Sequence, residues 1–236
     1  MGRIWAVCSG SGGVGKSTIA LSLAAGVAKA GRRTVLLDAS GAARSCDLTL
    51  GMESVVVLDM GDVLSRQVSL EAALYPVARY GGLLFACASI QDNLPVSELS
   101  GIVLALYSMC DVLVIDLPTG EAEVGRGILR EVDERIVVTR PDAASVLSAE
   151  RLMQRCGYDR ASTSLVINRA SRERGRRSTQ YSRDAVQNVL DRAAIACIPE
   201  DAAIPACEQQ GRAAIECDGP ARKELNAMVR TLLDAE

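Results

Sequence analysis

The chain has 236 residues, of which 49% are hydrophobic and 23% charged, with a net charge of −3 and no histidine. A chain of this length and apolar content can build its own core, and its near-neutral balance gives no whole-molecule case for nucleic acid or membrane binding. Lacking histidine, it is neither a Ser-His-Asp hydrolase nor a His-bearing zinc hydrolase. Only Lys16, Lys29 and Lys223 are lysines among the 26 basic residues, so a lysine inside a motif stands out.

Short apolar runs alternate with segments of helical period, the pattern of βα units around a largely parallel sheet. Strands are expected at Ile4–Cys8, Thr34–Asp38, Leu83–Ala88, Val112–Asp116, Arg135–Thr139 and Ser164–Asn168, with a short one at Ile195–Ile198. Their near-continuous apolarity suits strands covered by helices on both faces. Helices are expected at Lys16–Ala30, Pro95–Ser108, Ala143–Cys156 and Arg183–Ala194, and after Gly219-Pro220, where proline suits a first turn. With no repeat, linker or low-complexity tract, residues 1–236 are expected to form one doubly wound α/β domain.

No apolar stretch is long enough to cross a membrane, and the N-terminal run Ile4–Cys8 is too short for a secretory signal, so a cytosolic location is expected. The eight cysteines contain no CxxC or CxC pair. They are therefore expected to be reduced thiols packed as small hydrophobes. Cys197, Cys207 and Cys217 lie ten residues apart, a spacing with no local ligand geometry, and neither a metal nor a redox role is expected of them.

The most informative stretch is Gly10-Ser11-Gly12-Gly13-Val14-Gly15-Lys16-Ser17-Thr18, which satisfies GxxxxGK[ST] between a strand and a helix. Glycines allow the tight turn that points successive amides at phosphate oxygens, and the helix N-terminus adds its positive dipole end. Lys16 is expected to reach the β- and γ-phosphates and the Ser17 hydroxyl to ligate Mg²⁺.

The match extends past this loop, and the chain resembles the MinD/ParA family of deviant P-loop ATPases, MinD more closely than ParA. The carriers are Ser11–Thr18, the switch I-like Asp38-Ala39-Ser40, and Cys46-Asp47-Leu48-Thr49-Leu50-Gly51, similar to the family's LDLxLG segment. Val112–Asp116 with Leu117-Pro118-Thr119-Gly120 resembles its Walker B and switch II signature, and Val137–Pro141 its TxP strand. Val166-Ile167-Asn168-Arg169 looks like the adenine-side asparagine segment, and Ile198-Pro199-Glu200-Asp201 like its IPED segment. The resemblance implies a P-loop NTPase fold using ATP and Mg²⁺. It implies that the loop from Ser11 to Thr18 holds phosphates, that Lys16, Asp38 and Asp116 are catalytic, and that Asp116 shares the Mg²⁺ shell with Ser17. It further implies that Asn168, Arg169, Pro199, Glu200 and Asp201 frame the nucleotide.

Two positions depart from the family pattern. The signature lysine early in the loop, which in the family reaches across a nucleotide-sandwich dimer, is Ser11; the second aspartate of switch I is Ser40. A neutral hydroxyl makes no charge-assisted phosphate contact, and serine is a poor base near neutral pH. Three readings stay open: a nucleotide-binding regulator with weak or absent hydrolysis, a competent switch using a substitute such as Arg44 or a partner's arginine, and an interaction scaffold. The resemblance implies a role in placing a division, flagellar or pilus machine through an unidentified protein partner, in the bacterial cytoplasm and by recruitment to a pole or division site. The pilus-localising TadZ/CpaE type is the alternative branch. A homodimer is compatible with the sequence, although Ser11 puts the usual ATP-sandwich mode in question.

Nucleic acid is not expected as a partner: the loop from Arg169 to Arg177 has five arginines but no interleaved aromatic residue to stack bases. The last helix carries an apolar stripe at Leu225, Met228, Val229, Leu232 and Leu233 beside balanced charges, so it is expected to dock on the domain rather than on a membrane.

Overall fold

Alternate residues along the central strands enter two different cores, as the pleat requires when both faces of a sheet are covered. Strand β1 (Arg3–Cys8) sends Trp5 and Val7 to one core and Ile4, Ala6 and Cys8 to the other. The computed structural model describes residues 2–40, 44–88, 96–120, 132–171 and 179–235.

In chain order β1 is followed by α1 (Lys16–Lys29), β2 (Thr34–Asp38), α2 (Ser45–Leu50), α3 (Met60–Leu64), β3 (Tyr75–Pro76), β4 (Leu83–Cys87), α4 (Val96–Tyr107) and β5 (Val112–Asp116). The second half runs β6 (Glu134–Thr139), α5 (Ala143–Arg155), β7 (Thr163–Ala170), α6 (Arg183–Leu190), β8 (Ala194–Pro199), α7 (Ala203–Glu208) and α8 (Pro220–Asp234). The sheet order is β3-β4-β2-β5-β1-β6-β7-β8, parallel except for the short antiparallel β3 at one edge. This is the mostly parallel, doubly covered sheet expected from the sequence. β1 lies between β5 and β6, where the winding reverses and such folds place ligands at the carboxyl ends of the strands.

Helices α1 and α8 cover one face, and α4, α5 and α6 bury apolar residues on the other. Leu225, Met228, Val229 and Leu232 of α8 are buried against the core and Leu233 is packed on it, so the stripe is used within the domain. A β-carbon at Gly26 of α1 would lie 2.7 Å from a Val229 methyl, so glycine is what lets the two helices approach this closely. No described helix is long and apolar enough to cross a membrane.

Two expectations need correction. The helix expected over Arg183–Ala194 stops at Leu190, because Asp191 turns left-handed at φ 48° and the chain enters β8 at Ala194. Cys207 and Cys217, expected as reduced thiols, form a disulfide: the fold brings the end of α7 against the turn before α8, with 5.9 Å between the α-carbons. The other six cysteines are free.

Candidate nucleotide site

The P-loop leaves β1 at Cys8 and enters α1 at Lys16. Gly15 stands before the helix at φ 90°, and a β-carbon there would lie 2.3 Å from the Asn168 amide nitrogen. That amide donates to the Val14 carbonyl at 2.8 Å, fastening the end of β7 to the loop. At the other end of the loop, a β-carbon on Gly10 would fall 2.1 Å from the Ser148 carbonyl oxygen of α5. Gly12 and Gly13 instead border open space. The glycines thus divide into two that permit close packing and two that leave the loop's outer edge clear.

Beside the loop lies a cavity of about 400 Å³ lined by Ser9, Ser11, residues 13–18, Ser40, Ser45, Thr49, Thr119, Arg169 and Glu208. The register of β2 and β5 sets Asp38 opposite Asp116. The Lys16 ammonium donates to Asp116 at 2.8 Å, with both groups buried. Burial raises the Asp116 carboxyl above the usual range; Lys16 counteracts this, Asp38 adds to it, and hydrogen bonds from Lys16 and Ser17 lower it. Asp38 accepts from the Ser40 amide at 2.9 Å and the Ser40 hydroxyl at 2.5 Å on one oxygen, and from the Cys46 amide at 3.1 Å on the other.

Cys46 was not anticipated here. Its thiol lies 3.7 Å from the second Asp116 oxygen, and Asp38, Cys46 and Asp116 present ligand atoms within 4.8 Å of one another, all buried. Burial, then the charges of Asp38 and Asp116, push this thiol well above its ordinary pKa. The oxygen donors Ser17, Asp38 and Asp116 suit a hard cation such as Mg²⁺, and the open loop edge beside Lys16 suits a phosphate chain.

Ser11, at the position of the family's lysine, carries a buried hydroxyl with no hydrogen-bond partner among the described residues. Arg44 does not line the cavity. It adopts φ 43°, pairs with buried Asp47, and donates to the Val56 carbonyl at 3.2 Å, which stabilises the start of α2.

A smaller cavity of about 60 Å³ joins Asn168, Arg169, Pro199, Glu200 and Asp201 with Ile204, Pro205 and Glu208. The fold therefore gathers the expected base-side residues. Asp201, however, has both oxygens engaged, one by the Ala203 amide and one by the Ala221 amide, each at 3.0 Å, so it ties the starts of α7 and α8 together. Glu208 was missed: it lines both cavities and accepts from the Thr18 hydroxyl at 2.7 Å across a sequence separation of 190. No local pattern marks it. Arg172, Arg174, Arg176 and Arg177 of the basic loop lie outside the described residues.

The ParA family model, described as NUBPL iron-transfer P-loop NTPase, matches residues 1–233. The septum site-determining protein MinD of Synechocystis sp. is 31% identical over 205 residues, 85% of this chain and 77% of that protein. The MinD of Escherichia coli is 28% identical over 250 residues, covering all of this chain and 93% of that protein. Among solved structures, a chain of the MinC:MinD cell division complex of Aquifex aeolicus superposes with a TM-score of 0.88 at 25% identity, covering 98% of this chain and 96% of that one. The Pyrococcus horikoshii MinD solved with Mg-ADP has a TM-score of 0.83 at 23% identity over 98% of this chain and 96% of that one, a likeness of fold. With its phosphate loop, its sheet order and these relatives in agreement, the chain belongs to the ParA family of P-loop NTPases, with MinD proteins among its relatives.

Proposed function

We propose that this chain binds MgATP in a single nucleotide-binding domain and acts as a nucleotide-dependent regulator of spatial positioning, with weak or absent hydrolysis. The observation that carries this reading is the junction of an equipped phosphate end with a depleted catalytic end. At the first, buried Lys16 and Asp116 and half-buried Ser17 form one polar cluster beside an open glycine loop. Loop amides and Lys16 would hold the phosphates, Ser17 and Asp116 would share Mg²⁺ with Asp38 nearby, and Asn168, Arg169, Pro199, Glu200 and Asp201 would border the base side. Bound Mg²⁺ would supply charge neutralisation on the phosphate oxygens.

At the other end, the switch I position holds Ser40, whose hydroxyl donates to Asp38. Ser11 offers a neutral oxygen where the family pattern has a cation. Phosphoryl transfer to water depends on positioned positive charge and an oriented water, and both positions are weakened here. The names of the septum site-determining relatives support a role at a division site, with flagellar or pilus placement as the same kind of task. A protein partner is part of this reading, as is a homodimer whose interface does not rest on the missing lysine.

Steady-state ATP turnover tests the catalytic half, with Lys16→Ala as background. Turnover indistinguishable from that background supports the regulator. Turnover well above it establishes the second reading, a working switch with substitute residues, for which the Arg44–Asp47 pairing argues against Arg44 as the substitute.

A further inference from the structure

Helix α7 is six residues long, too short to hold its shape unaided, so its position depends on what fastens it. Asp201 accepts from the Ala203 amide at the helix start, and Glu208 accepts from the Thr18 hydroxyl at the helix end. Between them Cys207, the buried residue of α7, is bonded to Cys217. Ile204, Pro205 and Glu208 of this helix line the smaller cavity, and Glu208 borders the larger one as well. The placement of α7 therefore sets one wall of the nucleotide cavities.

The far end of the disulfide is anchored. Glu216, beside Cys217, pairs with Lys29 of α1 and accepts from the Tyr80 hydroxyl, which itself accepts from the Ala213 amide at 2.7 Å. Tyr80 is fully buried in the core to which α1 and α8 contribute. The bond thus joins a short helix bordering the cavities to a turn fixed on the body of the domain. The other six cysteines are free, so a dithiol reductant changes this one bond. Spacing alone gives no reason to expect a redox role for this pair; the fold brings the two sulfurs together.

We propose that the Cys207–Cys217 bond is a redox-sensitive clasp on the nucleotide site. Oxidised, it holds α7 as the cavity wall; reduced, it frees that wall and weakens nucleotide binding. The proposal rests on the MgATP-binding reading above. A thiolate of a dithiol reductant attacks one sulfur of the pair, and the other leaves as a thiolate that takes up a proton. The reductant's second thiol then closes its own disulfide and releases the first cysteine as a thiol, so two electrons and two protons pass in all. Cys207 and Cys217 are 5% and 1% exposed, and the attack therefore requires α7 to lift. A nucleotide seated against α7 opposes that lifting. By linkage, the factor by which oxidation tightens MgATP binding equals the factor by which MgATP favours the oxidised bond.

The test uses the full chain, oxidised or reduced with dithiothreitol, and the double variant Cys207→Ser/Cys217→Ser. It measures thermal melting, MgATP affinity, and the equilibrium of the bond against a dithiothreitol couple with and without MgATP. The reduced protein is expected to melt cooperatively, about 5 °C or more below the oxidised one. It should bind MgATP about tenfold more weakly, and MgATP saturating both forms should then shift the bond's equilibrium by the same factor, about 30 mV. The double variant should bind as weakly as the reduced protein and ignore dithiothreitol. Equal MgATP affinity in the two redox forms would overturn the proposal and leave the bond a structural link, whatever the change in melting. Loss of cooperative melting on reduction would also overturn it, by making the bond a condition of folding. If the oxidised protein fails to bind MgATP at all, the nucleotide-binding reading falls and this proposal with it.

Discussion

Lys16 and Asp116, 100 residues apart in sequence, meet at 2.8 Å with almost no exposure of either. A buried carboxylate stripped of its cation is costly, about 3–5 kcal/mol in comparable pairs. Lys16→Ala is therefore expected to lower nucleotide-free stability by about 3 kcal/mol, and Asp116→Asn in the same chain to restore most of it. Denaturant unfolding of the single and double variants checks this. An unchanged unfolding midpoint in Lys16→Ala would show that the pair does not support the fold.

The contact between Gly15 and Asn168 predicts strong coupling. Gly15→Ala adds a β-carbon to a backbone at φ 90° and drives it into the Asn168 amide. The left-handed backbone alone costs about 1–2 kcal/mol, and the overlap adds to it. Asn168→Ala removes the obstruction and also the bond to Val14. In a double-mutant cycle the loss in the double variant should fall short of the sum of the two single losses by about 1 kcal/mol or more. Simple additivity would mean that the loop and β7 are not in contact in solution.

Glu216 makes a pH-dependent prediction. It pairs with Lys29 and accepts from the Tyr80 hydroxyl at 2.9 Å, fastening the end of α1 to the turn before α8. Burial alone would raise its carboxyl, but the hydrogen bonds and charge of its partners outweigh burial and hold it below the usual value. Because the folded pKa is depressed, the stabilisation is complete above the ordinary glutamate pKa and disappears as pH falls through the lower folded value. Lys29 is partly exposed, so the solvent-screened gain is about 1 kcal/mol or less. Glu216→Gln should melt below the unsubstituted protein at pH 7, and the gap should close in acid. A gap that widened in acid would contradict the pairing.

The Cys207–Cys217 link predicts a thiol count. Alkylation in denaturant without reductant should modify the six free cysteines, and prior reduction should expose all eight. Mass spectrometry reads both numbers. Eight modified residues without reductant would restore the expectation of fully reduced thiols.

The strands were the most legible part of the chain. Thr34–Asp38 and Val112–Asp116 run as expected because apolar blocks between charged residues or glycines define a buried parallel strand. The glycine-lysine loop was legible because phosphate binding requires those residue types at that spacing. The six-residue helices α2 and α7 were not, since such short segments show too little periodicity and depend on tertiary packing. The same limit hid the site's less obvious members. Glu208 reaches Thr18 only because α7 folds over α1's first turn, and Cys46 reaches Asp116 only through α2. Nor could the ten-residue spacing of Cys207 and Cys217 reveal that the chain doubles back between them.

Under the proposed function, this site retains MgATP without consuming it. The most direct measurement mixes the purified protein with MgATP labelled in its γ-phosphate and its base, separates bound from free nucleotide by rapid gel filtration after a long incubation, and identifies what remains bound. Near-stoichiometric nucleotide is expected, recovered predominantly as intact ATP, with none retained by Lys16→Ala. Recovery of ADP with the γ-label released as phosphate would contradict the claim of weak hydrolysis, and an empty protein would contradict the claim of binding.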